Sequence, residues 1–194
     1  MPPRKPPAKP PGVEALGVIE LSSIARGVVV VDAMVKKAPV TIHSTRPVSP
    51  GKHVIVAVGG VAEIEEAMAA GLEAAADRLV DKLLLPHVHP QLPPRLDGTA
   101  AEHDGFDSVG VVEVASVAGT LAAADAALKA ADVTLVDLRL AVGIGGKGYF
   151  TLSGRLEEIQ AAADAGQGAI TATAVVGVEI VPAPHADLRD KLFW

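Results

Sequence analysis

The sequence predicts an α+β fold made of two tandem βαββαβ units, each with an antiparallel sheet and its helices packed on one face. Two internal repeats carry this prediction. Residues 17–41 align without gaps to residues 110–134 with 11 identities in 25 positions, and residues 51–71 align to residues 146–166 with 8 identities in 21. A common richness in Ala and Val does not give this many identities, so the 194-residue chain is a tandem duplication.

The comparison of the two copies fixes one ambiguous element. Val28 to Val31 is a β-branched run that by itself favours a strand. Its counterpart, Leu121 to Ala124, favours a helix. Because equivalent positions of duplicated domains have the same fold, we expect a helix in both copies, with burial overriding the preference of the valines.

The remaining elements follow from hydrophobic periodicity and turn residues. The first copy has predicted strands at 15–21, 40–46, 52–58 and 82–86, and helices at 24–38 and 61–79. The second copy has predicted strands at 109–115, 133–141, 148–153 and 175–181, and helices at 117–131 and 156–167. The alignment places two extra residues of the second copy in the loop between its second and third strands.

Composition and charge set the domain boundaries. Residues 1–13 hold six prolines and three basic residues, which favours an extended or disordered tail that is either solvated or docked to a partner. Domain 1 is then 14–96, domain 2 is 108–194, and residues 97–107 form a linker of turn-forming and charged residues.

The same data exclude several classes of partner. The net charge is −6, and the tail contains three of the 17 basic residues, so the rest of the chain is more acidic still. An acidic body argues against nucleic acid as a partner. No apolar stretch is long enough for a membrane span, and the N-terminus has no apolar segment typical of a secretion signal. The chain has no cysteine. A cytoplasmic protein is therefore the expectation.

Catalytic and cofactor motifs are weak. Gly143, Gly145 and Gly148 satisfy the spacing of a dinucleotide fingerprint, but a strand follows them where a helix is required. His87 and His89 have no nearby carboxylate or thiolate to complete a metal site. We therefore expect no enzyme activity, no metal and no cofactor.

Two repeated features are left over. Lys36 and Lys129 each lie four residues after an aspartate near the end of a helix, where they either complement the helix dipole or contact a neighbouring subunit. The loops at 47–51 and 143–146 correspond in the two copies but differ in sequence and length. Ordinary hairpin turns are one interpretation of these loops, and the residues by themselves leave a functional role open.

These residues together resemble the shell proteins of bacterial microcompartments, in the class with two domains per chain. The resemblance rests on GVIELSSIARG and DAMVKKA in the first copy, GVVEV and ADAALKAA in the second, the loops RPVSPGKH and GIGGKG, and the ending PAPH, and it covers about residues 14–194. It implies a ferredoxin-like fold and a homotrimer that forms a flat pseudohexameric tile with a central pore for small polar metabolites. Such tiles lie in a microcompartment shell in the cytoplasm and make lateral contacts with other shell proteins, hexamers and pentamers, and with enclosed enzymes.

The resemblance also assigns residues. It implies a pore lined by the two loops and a tile edge built from the lysines and two histidines. The implied pore residues are Val48, Ser49, Pro50, Gly51, Ile144, Gly145 and Gly146, and the implied edge residues are Lys36, Lys129, His89 and His185. The family usually has Arg two residues before these histidines, where this chain has His87 and Ala183, so its edge contacts are expected to differ.

Ser49 marks a second departure. Some relatives have Cys at this position, and three such thiolates hold an iron–sulfur cluster. A hydroxyl is a poor ligand for a cluster, so we expect none here, and we expect that Ser49→Cys would create such a site. A different class of function also stays open: duplicated βαββαβ domains serve as small-molecule-binding regulatory proteins, which have a pocket with convergent polar groups.

Overall fold

The computed structural model describes residues 13–101, 107–171 and 173–188. The proline-rich tail apart from Val13, the part of the predicted linker at 102–106, residue 172 and the last six residues of predicted domain 2 lie outside the described residues. Within the described residues, each copy has the predicted order of strand, helix, strand, strand, helix and strand. The α+β prediction is confirmed.

The first copy consists of β1 (Ala15–Leu21), α1 (Ile24–Lys37), β2 (Thr41–Val48), β3 (Lys52–Gly59), α2 (Val61–Ala75) and β4 (Leu79–Pro86). Its four antiparallel strands lie in the order β2-β3-β1-β4. The predicted second helix was too long, since a 3-10 turn at Ala76–Arg78 replaces its end and β4 begins three residues earlier than expected.

The second copy consists of β5 (Ser108–Val114), α3 (Val117–Ala130), β6 (Thr134–Leu140), β7 (Gly148–Gly154), α4 (Leu156–Gly168) and β8 (Val175–Pro182). The sheet order β6-β7-β5-β8 repeats that of the first copy. Ser23 and Ser116 occupy the same N-cap position before α1 and α3, and each serine oxygen accepts a hydrogen bond from the backbone N–H three residues on.

One face of each sheet packs against the helices of its own copy. In the first copy this face carries Ala15, Ile19 and Ile55, which join α1 and α2 in one hydrophobic cluster. Gly17 of β1 faces Met68 and Ile64 of α2, and Gly110 of β5 faces Ile159 of α4, so neither strand position has room for a side chain. The repeat is therefore preserved in packing as well as in sequence.

The opposite face of the first sheet is also covered, and here the second copy supplies the cover. Helix α3 contacts β1 and β4, and one hydrophobic cluster contains Leu16 and Val18 of the first sheet together with Leu121 of α3. Helix α3 therefore lies between two sheets, whereas the main contacts of α1 with the described strands and helices are all within its own copy.

This difference corrects one expectation about the valines of α1. The run from Val28 to Val31 is helical, as predicted, but burial does not account for all of it. Val30 is buried, whereas Val28 and Val29 are 67% and 50% exposed within the chain. Two of the four valines of this run are therefore largely exposed.

Candidate functional site

The two loops predicted to line a pore lie side by side. Residues 49–51 join β2 to β3, and the longer segment 141–147 joins β6 to β7. A Cβ on Gly146 would lie 2.5 Å from the backbone oxygen of Ser49 and 3.4 Å from the Cδ of Pro50. The Arg46 guanidinium also donates to the backbone oxygen of Leu140, 3.3 Å away, which joins the strands that lead into these loops.

Four glycines in these loops have backbone angles that favour glycine. Gly51 and Gly146 have φ values of +95° and +79°, and Gly143 and Gly145 also have positive φ. Such angles strain any residue that carries a Cβ. Val48 and Gly146 are buried at the base of the loops, Ile144 is half-buried, and Ser49, Pro50 and Gly145 are exposed. These three residues present a hydroxyl, a proline ring and bare backbone, none of which is charged. The same segments also expose the Val142 side chain, at 63%, and the Lys147 side chain, at 42%.

The structure brings together Lys129 and His89, two of the four predicted edge residues. Asp125 of α3 is buried and connects them: one carboxylate oxygen accepts from the backbone N–H of His89 at 2.8 Å, and the other pairs with the Lys129 ammonium at 2.6 Å. The chain after β4 is thereby fixed to the second copy.

The corresponding pair, Lys36 and His185, is not joined in the same way. Lys36 pairs with Asp32 at 2.6 Å, but Asp32 is exposed. His185 lies beside Asp187 at 3.5 Å, and both side chains are exposed. Among the described residues, the Asp32 carboxylate accepts no hydrogen bond from the segment after β8. Half of the predicted edge is thus assembled within the chain and half is not.

Glu20 shows how the two copies are held together. Its buried carboxylate accepts from the backbone N–H of Ala118, 2.8 Å away at the start of α3, and lies 3.4 Å from the Lys52 ammonium. A carboxylate at a helix N-terminus is favourable. Burial nevertheless raises the pKa of Glu20, and the hydrogen bond from Ala118 and the charge of Lys52 oppose that rise. The sequence signal for this role is the identity of Glu20 and Glu113 at aligned positions of the repeat.

The counterpart of this site in the second copy has no helix on it. Glu113 pairs with Lys147, as Glu20 pairs with Lys52, but among the described residues no helix N-terminus lies against it. A cleft opens there on the outer face of the second sheet, lined by Val111, Glu113, Ile144, Gly145, Lys147 and Tyr149. The same charged pair is therefore buried in one copy and open in the other.

Two features are absent from residues 13–101, 107–171 and 173–188. No helix there is long and apolar enough to cross a membrane. No group of three or more His, Cys, Asp or Glu side chains there could hold a metal ion.

Comparison with known proteins agrees with this architecture. The BMC domain model matches residues 15–88 and 108–184, one match for each copy. The bacterial microcompartment shell protein PduT of Citrobacter freundii is 38% identical over 176 residues, which cover 90% of this chain and 95% of that protein. The carboxysome assembly protein CcmO of Synechococcus elongatus is 28% identical over 199 residues, which cover 95% of this chain and 71% of that protein.

Two solved structures are similar to this one. A microcompartment protein from Desulfitobacterium hafniense superimposes with a TM-score of 0.80 at 34% identity, covering 92% of this chain and 99% of that one. The fused permuted hexameric shell protein MSM0275 superimposes with a TM-score of 0.59 at 25% identity, covering 80% of each chain. The chain therefore belongs to the BMC-domain family of bacterial microcompartment shell proteins, with two BMC domains in tandem.

Proposed function

We propose that this protein is a structural tile of a microcompartment shell, in which three chains form a closed, pseudohexameric ring around a central pore. The comparisons support a shell role rather than the regulatory alternative. Relatives named as shell proteins also support a structural, non-catalytic role.

The observation that carries the proposal is the difference in burial between corresponding surfaces. In α3, Val117 and Leu121 are 1% and 0% exposed because α3 lies on the first sheet. Their counterparts in α1, Ile24 and Val28, are 47% and 67% exposed. The apolar face of α1 and the outer face of the second sheet are thus both uncovered. They correspond to the face of α3 and the outer face of the first sheet, which pack against each other within the chain.

A second copy supplies both missing halves. Helix α1 of one chain packs on the outer face of the second sheet of the next chain, and Glu113 there accepts from the backbone N–H at the start of α1, as Glu20 accepts from Ala118. This contact is head-to-tail, and such contacts form a closed ring when the rotation from one unit to the next closes on itself. Two domains per chain in a six-domain ring require three chains, which agrees with the hexameric state named for the MSM0275 structure.

The loops then meet around the axis of the ring. Within one chain the domain 1 loop already lies against the domain 2 loop, and the ring repeats this contact three times. The constriction is lined by Ser49 hydroxyls, Pro50, Gly51, Ile144 and Gly145, with Val48 and Gly146 at its base. A neutral opening that offers hydroxyl and backbone groups suits small polar metabolites.

The outer edge of the ring carries the lateral contacts. The ammonium groups of Lys36 and Lys129 are exposed beside their aspartates, and His89 and His185 lie in the corresponding segments after β4 and β8. Repeated cations at equal spacing around a tile provide equivalent contacts to neighbouring shell proteins. Hexamers and pentamers of the same shell are the expected neighbours, and the inner face is available to enclosed enzymes.

Light scattering on the purified protein tests the ring directly. We expect a mass of three times 19.7 kDa, and sheets of tiles by negative-stain microscopy. Val28→Asp places a charge on the uncovered helix face and should give monomers with unchanged circular dichroism. Val176→Asp is the matched control, because Val176 is 47% exposed within the chain. Its counterpart Val80 stays 45% exposed although α3 packs on the first sheet, so we expect the ring contact to leave Val176 exposed as well.

A monomeric wild-type protein would contradict the ring. So would a Val28→Asp variant that keeps the trimer mass, because the proposed contact cannot hold an unpaired carboxylate on a buried apolar face.

The pore is tested with a single cysteine, since the chain has none. Ser49→Cys places three thiols near the proposed axis, so mild oxidation should give disulfide-linked dimers. Ala69→Cys, on an exposed position of α2, is the control and should stay monomeric on a denaturing gel. If both variants have the trimer mass and cross-link equally, the result would contradict the position of the loops at the axis but not the ring.

A further inference from the structure

The segment that follows β4 is docked on the second copy. Its side chains Val88, Leu92 and Leu96 are buried in one cluster with Leu128, Val133 and Leu135 of the second copy. The Gln91 side chain also donates to the backbone oxygen of Val133 at 2.9 Å and accepts from the backbone N–H of Leu135 at 2.8 Å. Residues 87–96 thus cover the end of α3 and the outer edge strand β6.

The segment that follows β8 has the same local shape. His87 and Ala183 hold the same position after their strands, and both have positive φ, at +56° and +45°. The backbone N–H of Leu92 donates to the oxygen of His89 at 3.0 Å, and that of Leu188 donates to the oxygen of His185 at 2.9 Å. The N–H two residues after each histidine also lies 3.3 Å from its Nδ1. The chain beyond β8 therefore has the conformation that docks after β4.

The sequence of this segment matches as well. His89, Leu92, Arg95 and Leu96 align with His185, Leu188, Lys191 and Leu192 when Pro86 is aligned with Pro182. Residues 191 and 192 lie outside the described residues, so they enter only as sequence. Leu92 is fully buried, whereas Leu188 is 40% exposed. The second segment therefore presents an apolar anchor that nothing in the described part of the chain covers.

A groove for this anchor exists on the first copy. The counterparts of Leu128, Val133 and Leu135 are Val35, Val40 and Ile42. The first three are buried beneath the segment 87–96, whereas Val35 is 45% exposed and Val40 and Ile42 are only partly buried. Asp32 is exposed there in the same way, although its counterpart Asp125 is buried by the backbone of His89.

We propose that the segment 183–188 is a clasp that docks into the groove of Val35, Val40 and Ile42 on the next copy of this chain. Leu188 fills the position that Leu92 fills within the chain, and the backbone N–H of His185 donates to Asp32 of the next copy. This inference rests on the proposed ring and adds a second, separate contact to the packing of α1. It also completes the pairing of Lys36 with His185 at the tile edge.

The first test perturbs the anchor. Leu188→Asp should raise the dissociation constant of the trimer by about tenfold or more, because it removes a buried leucine from the contact. The exposure of Leu188 makes it unnecessary for the fold of the chain, so the circular dichroism should not change. Ala186→Asp is the matched control: its counterpart, Pro90, is exposed in the docked segment, so trimer affinity should stay at the wild-type level.

The second test traps the contact. A chain with Asp32→Cys and His185→Cys has no other thiol. The corresponding groups, the Asp125 carboxylate and the His89 backbone nitrogen, lie 2.8 Å apart, so oxidation should link each chain to the next. Because the ring closes at three chains, the ladder on a denaturing gel should stop at the trimer.

The outcomes separate the clasp from the ring. If the double-cysteine variant has the trimer mass but gives no ladder, the clasp is overturned and the ring is intact. The same holds if Leu188→Asp and Ala186→Asp have equal trimer affinity. A ladder that continues beyond three chains would place the contact between tiles and overturn it as well. A protein that is monomeric throughout would overturn the ring itself.

Discussion

Domain 1 and domain 2 have the same order of elements and the same sheet topology, yet the chain buries them differently. Helix α3 of domain 2 is buried on two sides, and helix α1 of domain 1 on one. The outer sheet face is covered in domain 1 and carries a cleft in domain 2. This difference supports the proposed ring, because the helix face and the sheet face that are covered between the two copies within the chain have counterparts that stay open.

The interiors of the two copies have also diverged, in a reciprocal way. In domain 1, Gly27 of α1 packs on the ring of His53 in β3, and in domain 2, Thr120 of α3 packs over Gly148 in β7. Positions 27 and 120 correspond, as do positions 53 and 148. The strand carries the larger side chain in domain 1 and the helix carries it in domain 2. In each copy one side chain fills the space between the helix and the strand.

Exchanging this pair should give the largest effect on stability. Gly27→Thr forces a β-branched side chain into the His53 ring and should lower the free energy of unfolding by up to about 3 kcal/mol. The double variant Gly27→Thr with His53→Gly rebuilds the domain 2 pair and should recover most of that loss. Urea unfolding of the single and double variants measures both. A double variant less stable than Gly27→Thr alone would show that the two contacts are not equivalent.

The two loops differ in how closely they are held, which predicts a smaller effect. Gly51→Ala meets only the strain of a positive φ, because nothing lies within 4 Å of the new Cβ. Gly146→Ala adds a clash with the backbone oxygen of Ser49. We expect a loss of about 1 kcal/mol for Gly51→Ala and about 2 kcal/mol or more for Gly146→Ala, measured by thermal unfolding. Equal losses would mean that the loops move apart at no cost.

The two aspartates at the helix ends differ in what they hold. Asp125→Ala leaves the backbone N–H of His89 unpaired beside the buried cluster and should cost about 1–2 kcal/mol of unfolding free energy at every protein concentration. Asp32→Ala should act mainly on the trimer, so its effect should grow on dilution. Unfolding at two protein concentrations tests this, and a concentration-independent loss for Asp32→Ala would break the parallel.

His53 should give the smallest effect, and it has no titrating counterpart because domain 2 has Gly148 there. Burial lowers the pKa of His53 from its usual 6.5. As the pH falls below 6.5, the unfolded chain binds a proton that the folded chain does not, so the contribution of His53 to stability declines until the lowered pKa is reached. Unfolding free energies of wild type and His53→Gln between pH 7.5 and 5 should therefore converge towards acid.

Much of the fold could be predicted from the sequence because the repeat doubled the information on every element. The helix at Val28 to Val31 is the plainest case, since its own residues favour a strand and only its counterpart reveals the helix. The end of α2 was predicted too far along, because residues 72–78 (LEAAADR) have high helix propensity. The end of α4, which glycines at 166 and 168 mark, was predicted to within one residue. The resemblance also named the loop and edge residues, whose roles remain proposals.

The sequence by itself determined the duplication, the order of elements and the family. These depend on the pattern of residue types along the chain, which the two copies share. Only the tertiary structure decided that α3 and not α1 lies between two sheets, that Gly146 touches Ser49, and that Glu20 is buried where Glu113 is open. The physical reason is that the solvent exposure of a residue depends on which other elements pack against it, and not on its own sequence alone. Aligned residues with the same local fold acquire different partners, because the second copy covers the outer sheet face of the first while its own outer sheet face stays open.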